Sequence, residues 1–397
     1  MSFTKRFQPV PLGDTNLFKP IKVGDVQLNH RAVLAPLTRL RCASDNLLSE
    51  EFAPDYYSQR SQEPGTLIIT EGAVPSLQSI ASSRTPGLFT DEQLSVWSRV
   101  FRKIHENGSF VFVQMWSAGR NADLEVLTKN DLRYDSATDN LYIDNKAEET
   151  AAKLLLAQHG ITKQEINDYI RDWVRAAKLT METGADGIEV HGANGYLLNQ
   201  FLDPISNHRS DEYGGSIENR SRFPLELIDA LIDALGASKL GIRLSPYGLY
   251  GGMSGGDNPL IVAQHAYIIG ELEKRAQRGN RLAYIHLVEP RVTIPSLPEG
   301  QGVYGGGTND FVYSIWRGVV IRCGDIALYP NLAKEFTDNR RTLIAYGRFF
   351  ISNPDLARRL RDGLPLTEYN RATFYTFDSV GYTDYPNYET CLKLGYV

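Results

Sequence analysis

The chain has 397 residues, 42% of them hydrophobic, which provides a large core for one big α/β domain or two ordinary ones. Its net charge of -5 is spread without long runs of either sign, which excludes the basic surface that binds nucleic acid. Three widely separated cysteines form neither a disulfide framework nor an iron–sulfur spacing. No stretch approaches the roughly 20 apolar residues of a membrane span, and the N-terminus lacks a secretory core, so we expect a cytoplasmic protein without membrane attachment.

Eight short apolar segments predict β-strands, separated by longer amphipathic segments. Val, Ile and Leu occupy both faces of these strands, as in parallel strands that are buried on both sides. The strands are predicted at 32–37, 66–72, 110–115, 186–191, 239–245, 282–288, 319–322 and 342–347. Helices are predicted at 91–107, 162–183, 217–235, 259–279 and 353–362. The helix at 162–183 has a capping-box pattern at its start, Thr162 with Glu165, and Gly184 at its end.

This alternation indicates an α/β fold and favours a (β/α)8 TIM barrel over a doubly wound sheet. The strand count is right for a barrel, no Gly-x-Gly-x-x-Gly opens the first helix, and polar residues follow most strands. Segments 123–160 and 289–318 exceed simple βα loops and are predicted as long loops over the C-terminal mouth, the second as a glycine-rich lid. No composition break divides the chain, so residues 1–397 are predicted to form a single domain.

Two glycine-containing turns follow the seventh and eighth predicted strands. They are RCGD, with Gly324 and Asp325, and YGRF, with Gly347 and Arg348. In barrels this pair of strands carries the usual phosphate site, where bare backbone N–H groups meet the anion and an arginine completes the cradle. The alternative is two ordinary turns and a surface arginine.

Polar side chains within or after apolar strands suggest a flavin. The buried amide of Gln114 needs a partner, such as the pyrimidine ring of a flavin or a loop backbone group. Arg243 either stabilises the negative charge of a reduced flavin or pairs with a nearby carboxylate. Thr38 either donates its hydroxyl to a flavin edge or caps a helix.

The stretch HGANGY, which follows the fourth predicted strand, carries the substrate chemistry in this hypothesis. His191 and Asn194 offer two N–H donors that could polarise one carbonyl oxygen and stabilise an enolate. Tyr196, with an ordinary pKa of about 10, is a plausible acid at neutral pH. Each residue alone has a simpler explanation, as a core histidine, a turn asparagine or a packed tyrosine; their grouping after one strand favours a site.

These motifs resemble the old yellow enzymes, FMN-dependent ene-reductases of the NADPH dehydrogenase group. The resemblance is carried by LAPLTR, FVQMWSAGR, GIRLSPYG, HLVEPRV and IAYGRFFISNPDLARRL, and above all by HGANGYLLNQFLDPISNHRSDEYGGSIENRSRF. The segments follow the family's order over nearly the whole chain. The chain is most similar to the fungal, yeast-type members.

The resemblance implies one FMN in a single barrel, NADPH as hydride donor, and enones or enals as substrates. It also implies binding of phenolic ligands, and homodimers are common among such proteins. The isoalloxazine would contact Thr38, Gly72, Gln114 and Arg243. The phosphate would be held by Gly324, Asp325, Gly347 and Arg348. His191 and Asn194 would bind the substrate carbonyl, Tyr196 would donate the proton, and Trp116 and Tyr375 would shape the pocket.

Two residues depart from the yeast-type pattern. Asp325 stands where similar proteins have asparagine, and its carboxylate would weaken phosphate binding unless it points away. Ser296 stands where they carry an aromatic residue in the lid, which predicts a roomier entrance for bulky enones.

Two other functions remain open from the sequence. A non-redox barrel enzyme could use the phosphate site for a phosphorylated substrate, and a sensor could bind flavin or steroid without turnover. An iron–sulfur flavin barrel is disfavoured by the three scattered cysteines.

Overall fold

The computed structural model describes residues 1–43, 45–292, 297 and 306–396. Eight parallel strands form a closed barrel in which each strand pairs with the next along the chain and the last pairs with the first. The strands are β1 Ala32–Leu34, β2 Leu67–Ile69, β3 Phe110–Met115, β4 Gly187–Gly192, β5 Leu240–Leu244, β6 Tyr284–Val288, β7 Val319–Cys323 and β8 Thr342–Tyr346. The predicted (β/α)8 barrel is confirmed: each predicted segment overlaps one of its strands, and β4 and β7 extend one residue beyond the predicted ends.

The helices that surround the barrel follow the predicted order. They are α1 Ala53–Arg60, α2 Asp91–Glu106, α3 Leu124–Lys129, α4 Asn145–Leu154, α5 Lys163–Glu182, α6 Leu197–Leu202, α7 Ile217–Leu235, α8 Pro259–Gln277, α9 Phe311–Ile315, α10 Pro330–Asp338, α11 Arg348–Ser352, α12 Leu356–Asp362 and α13 Tyr388–Lys393. The predicted capping box of α5 is present: the Thr162 side chain accepts from the Glu165 N–H while the Glu165 carboxylate accepts from the Thr162 N–H.

The start of the helix predicted at 353–362 is wrong. The chain forms two short helices instead, α11 and α12, separated by Asn353, Pro354 and Asp355. The physical reason is the proline, which disfavours helical backbone at the residue before it. The Asn353 amide donates to the Phe349 carbonyl at 2.8 Å and to the Thr367 carbonyl at 3.1 Å, which ties the break to the core.

The pleat of the strands explains why they are apolar on both faces. Along β4, Ile188 and Val190 pack outward in the large core shared with the helices, whereas Glu189 and His191 alternate with them and face the barrel interior. The lower interior is filled by apolar side chains such as Phe112 and Tyr284. The polar residues of the interior described here, Gln114, Glu189, His191, Arg243 and His286, lie above this apolar layer, toward the carboxyl ends of the strands.

The amino-terminal end of the barrel is closed by a hairpin. Strands Ile21–Val23 and Val26–Leu28 pair antiparallel, and they pack on the interior cluster through Val23, Val26 and Leu28. Because this end is plugged, access to the interior is from the carboxyl ends of the strands.

The long segment 123–160 has structure of its own: it contains α3 and α4, and strands Tyr134–Ser136 and Gln158–Gly160 pair in parallel. Residues 293–296 and 298–305 of the predicted lid at 289–318 lie outside the described residues. None of the helices in the described part of the chain is long and apolar enough to cross a membrane.

Candidate active site at the mouth of the barrel

A cavity of about 800 Å³ opens at the carboxyl ends of the barrel strands. All but two of the site residues predicted from the sequence line it. They are Thr38, Gln114, Trp116, His191, Asn194, Tyr196, Arg243, Gly324, Asp325, Gly347, Arg348 and Tyr375. The structure therefore brings the predicted phosphate turns and the predicted carbonyl-binding residues to one cavity, as the barrel prediction requires.

The two exceptions are Gly72 and Ser296. Gly72 does not line the cavity but lies directly behind Trp116: a Cβ at this position would lie 2.9 Å from the Trp116 Nε1. A side chain here would push the indole into the cavity, so Gly72 sets the position of Trp116. Ser296 lies outside the described residues, and the roomier entrance inferred from it stays a prediction.

Gln114 is held by a buried acidic residue. Its amide donates to the Glu189 carboxylate at 2.7 Å, across the paired strands β3 and β4. Glu189 also contacts the His286 Nδ1 at 2.8 Å, and both side chains are fully buried. Burial alone raises the pKa of Glu189, but His286 and Arg243 outweigh it and lower its pKa. The Glu189 carboxylate therefore stays ionised and fixes the orientation of the Gln114 amide.

Arg243 extends into the cavity from β5, and it makes no ion pair with a carboxylate among the residues that the structure describes. Its Nη2 donates to the Cys323 Sγ at 3.3 Å, while its buried Nε has no hydrogen-bond partner in the described part of the chain. The carboxylate partner considered from the sequence is thus absent among the described residues. A buried guanidinium with an unsatisfied donor favours an acceptor ligand in the cavity.

Thr38 is half-buried and follows β1 at the same mouth. It does not cap a helix, because the first α-helix after it begins at Ala53. The remaining interpretation is that its hydroxyl donates a hydrogen bond to a ligand in the cavity.

Three aromatic rings gather on one side of the cavity. The ring centroid of Tyr196 lies 4.3 Å from that of Trp116 and 5.2 Å from that of His191. The buried Trp116 Nε1 and His191 Nδ1 have no hydrogen-bond partner in the described part of the chain. Burial, followed by the charges of Arg243 and His286, holds the pKa of His191 well below its usual value. His191 is therefore a neutral hydrogen-bonding group at physiological pH.

A tight turn aims this cluster at the cavity. Asn194 and Gly195 both have positive φ, 56° and 71°, and asparagine and glycine tolerate this left-handed backbone best. The Asn194 N–H donates to the Ser245 Oγ at 2.8 Å, and the Gly195 N–H donates to the Asn199 Oδ1 at 2.8 Å. The backbone of Asn194 is thus satisfied within the protein, and its side chain lines the cavity.

Tyr196 is set up as an acid and not as a base. Burial raises the pKa of its phenol, and the neighbouring hydroxyl of Tyr250 raises it further through a hydrogen bond. The phenol therefore keeps its proton at any physiological pH. Its ring lies 6.3 Å from that of Tyr250, which lines the same cavity.

The two glycine turns lie side by side at the rim, because β7 and β8 are neighbours in which Cys323 pairs with Ala345. Gly324 has a φ of 137°, and a Cβ there would lie 3.1 Å from the Glu289 Cβ, so a larger residue would strain this turn. Asp325 follows with a φ of 51°. Arg348 begins α11 beside Gly347, and its Nη2 donates to the Leu297 carbonyl at 2.8 Å.

The sequence reasoning missed four residues of this region: Glu189, Tyr250, His286 and Cys323. Two signals could have found them. Glu189 and His286 are charged or titratable residues inside apolar strands, the same signal that singled out Gln114 and Arg243. Cys323 immediately precedes Gly324 at the end of a strand. Nothing in the sequence around Tyr250 indicates that it meets Tyr196.

The chemistry of the cavity fits FMN. A flavin offers a planar ring with carbonyl and nitrogen acceptors, and the buried Arg243 Nε, His191 Nδ1 and Trp116 Nε1 have no other partners in the described residues. The volume is in the range of cofactor pockets. The Gly324 turn and Arg348 at the rim have the chemistry of a phosphate cradle. A (β/α)8 barrel with such a mouth belongs to the flavin-dependent oxidoreductases.

Comparison with known proteins establishes the family. The sequence profile of the NADH:flavin oxidoreductase / NADH oxidase family matches residues 16–367. The chain belongs to this family, in which it is an FMN-dependent oxidoreductase of the old yellow enzyme type.

Individual relatives cover the chain almost completely. It is 56% identical to Enoate reductase 1 of Kluyveromyces lactis over 397 residues, all of both chains. It is 41% identical to the Probable NADPH dehydrogenase of Candida albicans, covering 98% of this chain and 95% of that one. The crystal structure of Old Yellow Enzyme from Pichia sp. AKU4542 superposes with a TM-score of 0.88 at 40% identity, covering 95% of each chain.

Proposed function

We propose that the chain is an ene-reductase that oxidises NADPH and reduces α,β-unsaturated aldehydes and ketones. Bound FMN would supply the hydride chemistry, accepting a hydride from NADPH and passing one to the β-carbon of the alkene. The name Enoate reductase 1 of the Kluyveromyces lactis relative supports reduction of a conjugated alkene, and the name of the Candida albicans relative supports NADPH as the hydride donor. The two would bind in turn at one site, because a single cavity holds all the candidate groups.

Different residues at the mouth of the barrel would hold the ring and the phosphate of FMN. Thr38, Gln114 and Arg243 would contact the ring, with Glu189 fixing the Gln114 amide. The turns at Gly324–Asp325 and Gly347–Arg348 would hold the phosphate, and the Asp325 carboxylate would point away from it. Gly72 would act indirectly. Because it has no side chain, the Trp116 indole can pack against it.

His191 and Asn194 would bind the carbonyl oxygen of the substrate. A neutral imidazole donates one hydrogen bond without adding charge, and a second donor from the Asn194 amide on the same oxygen would stabilise the enolate. Phenolic ligands would use the same oxygen site, so His191→Ala should weaken binding of phenols and enones together. Trp116 and the half-exposed Tyr375 would form the walls of the substrate space.

Tyr196 would protonate the α-carbon. The observation that carries this proposal is the placement of a buried, fully protonated phenol in contact with the rings of Trp116 and His191. General acid catalysis of this kind contributes roughly 10²–10⁴-fold to a rate.

The test separates the two half-reactions by anaerobic stopped-flow absorbance. Tyr196→Phe should leave flavin reduction by NADPH nearly unchanged and slow flavin reoxidation by cyclohexenone roughly 10²-fold or more. The matched control is Tyr213→Phe, since Tyr213 is also buried but donates to Glu226 outside the cavity. Loss of the NADPH half-reaction in Tyr196→Phe would refute the assigned role. A protein that NADPH does not bleach at all would favour the sensor function.

A further inference from the structure

Cys323 occupies a distinctive position beneath the mouth of the barrel. It ends β7, lines the cavity, and accepts a hydrogen bond from the Arg243 Nη2 at 3.3 Å. The Arg243 Nε has no partner in the described part of the chain, and the nearest acidic side chain in the interior, Glu189, is bonded to Gln114 and His286. The sulfur is therefore the protein atom that directly contacts this guanidinium within the described residues.

The groups that act most directly on Cys323 are basic: Arg243 on β5, which donates to its sulfur, and His286 on β6. The other titratable residues nearby are His191, Glu289, Asp325 and Tyr346, which line the same cavity, and Glu189, which contacts His286. Glu289 is already matched by a bidentate contact with Arg322 at 2.7 and 2.8 Å. Glu189 is the carboxylate that contacts His286, and the pKa of His286 is raised because Glu189 and Cys323 outweigh the effect of burial.

The direction in which the pKa of Cys323 is shifted agrees with this geometry. Burial by itself raises the pKa of the Cys323 thiol, but the charges of Arg243 and His286 outweigh it and bring the pKa to about 7. A thiolate at this position would form an ion pair with the Arg243 guanidinium, which donates to the sulfur.

The surroundings of the other two cysteines differ from those of Cys323. Cys42 is equally buried, and there burial raises the pKa of the thiol well above its usual value. Cys391 lies 3.5 Å from the Arg359 Nη2, but that arginine is already paired with Asp355 at 2.7 Å. Only Cys323 joins an arginine that lacks a carboxylate partner in the described part of the chain to a cavity.

We propose that Cys323 is a positioning residue of the flavin site, whose sulfur holds the Arg243 guanidinium and, as a thiolate, cancels part of the positive charge that Arg243 presents to bound FMN. The inference rests on the proposed role of Arg243 at the ring. Reduced flavin is more negative than oxidised flavin, so a weaker positive charge beside it disfavours reduction. Ionisation of Cys323 should therefore lower the reduction potential of the bound FMN.

The test is the midpoint potential of FMN in the holoenzyme, measured by spectroelectrochemistry between about pH 5.5 and about pH 9. Cys323→Ser keeps a small polar group that does not ionise in this range, and Cys323→Ala removes the contact. Below about pH 6 the potential of Cys323→Ser should match the wild type, because the thiol is then protonated. Above about pH 7 it should lie higher, by a margin that grows with pH and then levels off.

Cys42→Ala is the matched control, because it removes a buried thiol that does not line the cavity, and its potential should follow the wild type at every pH. Parallel curves for Cys323→Ser and wild type, with or without a constant offset, would overturn the inference. Loss of FMN from both Cys323 variants at every pH would also overturn it, because a residue that only sets charge permits loading. Tyr196→Phe tests the proposed function independently, so the two failures are distinguishable.

Discussion

His30 is a buried neutral histidine whose protonation should limit stability in acid. It lies just before β1, at the closed end of the barrel and remote from the cavity. Its Nδ1 accepts from the Ala32 N–H at 3.3 Å, and its Nε2 lies 3.0 Å from the Thr66 Oγ1, which donates to the Glu63 carbonyl at 2.6 Å. The Thr66 hydroxyl therefore accepts a hydrogen bond from the His30 Nε2. An imidazole that accepts at Nδ1 and donates at Nε2 is neutral. Burial, followed by the charge of Arg361, lowers the pKa of His30 to about 4.

The sign and size of the effect follow from linkage. The unfolded chain binds the proton at an ordinary pKa of about 6.5, and the folded chain resists it until about pH 4, so the free energy of unfolding falls as the pH drops through this window. The full difference is about 3 kcal/mol, of which about 2 kcal/mol is already lost at about pH 5.

The perturbation is His30→Gln, which keeps an amide donor for Thr66 but does not titrate. The assay is urea unfolding, followed by tryptophan fluorescence at a fixed excess of FMN, at about pH 8 and about pH 5. Between these two values the wild type should lose about 2 kcal/mol more than the variant. The control is His208→Gln, at an exposed position, which should lose as much as the wild type. An equal loss in wild type and His30→Gln would refute the reasoning.

Two further predictions concern the mouth of the barrel. Glu189→Gln leaves His286 without its buried carboxylate partner and should lower the free energy of unfolding by roughly 3–5 kcal/mol in urea titrations; an unchanged value would contradict the pairing. Gly324→Ala places a methyl group 3.1 Å from the Glu289 Cβ at a positive φ and should weaken FMN binding, measured by fluorescence titration, about tenfold or more. Gly184→Ala also changes a positive-φ glycine, but no atom lies within 4 Å of its added Cβ, so equal losses of affinity in both variants would contradict this account.

The architecture could be predicted because its signals are local. A parallel strand covered on both faces is apolar throughout, so the eight strands stand out from the amphipathic helices, and a polar residue inside such a strand must have a partner. Gln114 and Arg243 were found for this reason. Glu189 and His286 give the same signal, and they proved to be the groups that surround and fix the first two.

The partners of these residues could not be predicted, because they come from distant parts of the chain. Seventy-five positions separate Gln114 from Glu189, and eighty separate Arg243 from Cys323. The sequence offered a carboxylate for Arg243, whereas the fold supplies a thiol. Gly72 lies against the Trp116 indole, a long-range contact that the sequence around it does not indicate; its contact with the flavin stays a prediction.

By itself, the sequence determined the order of strands and helices, the ends at which polar groups collect, and the family to which they belong. Those features depend on hydrophobic period and on residue types within a few positions of one another. Only the tertiary structure decided which polar groups touch, which donors lack a partner in the described residues and which thiol has a lowered pKa. Those properties depend on barrel closure, since the register between strands selects the neighbours of each inward side chain, and burial then sets their charge.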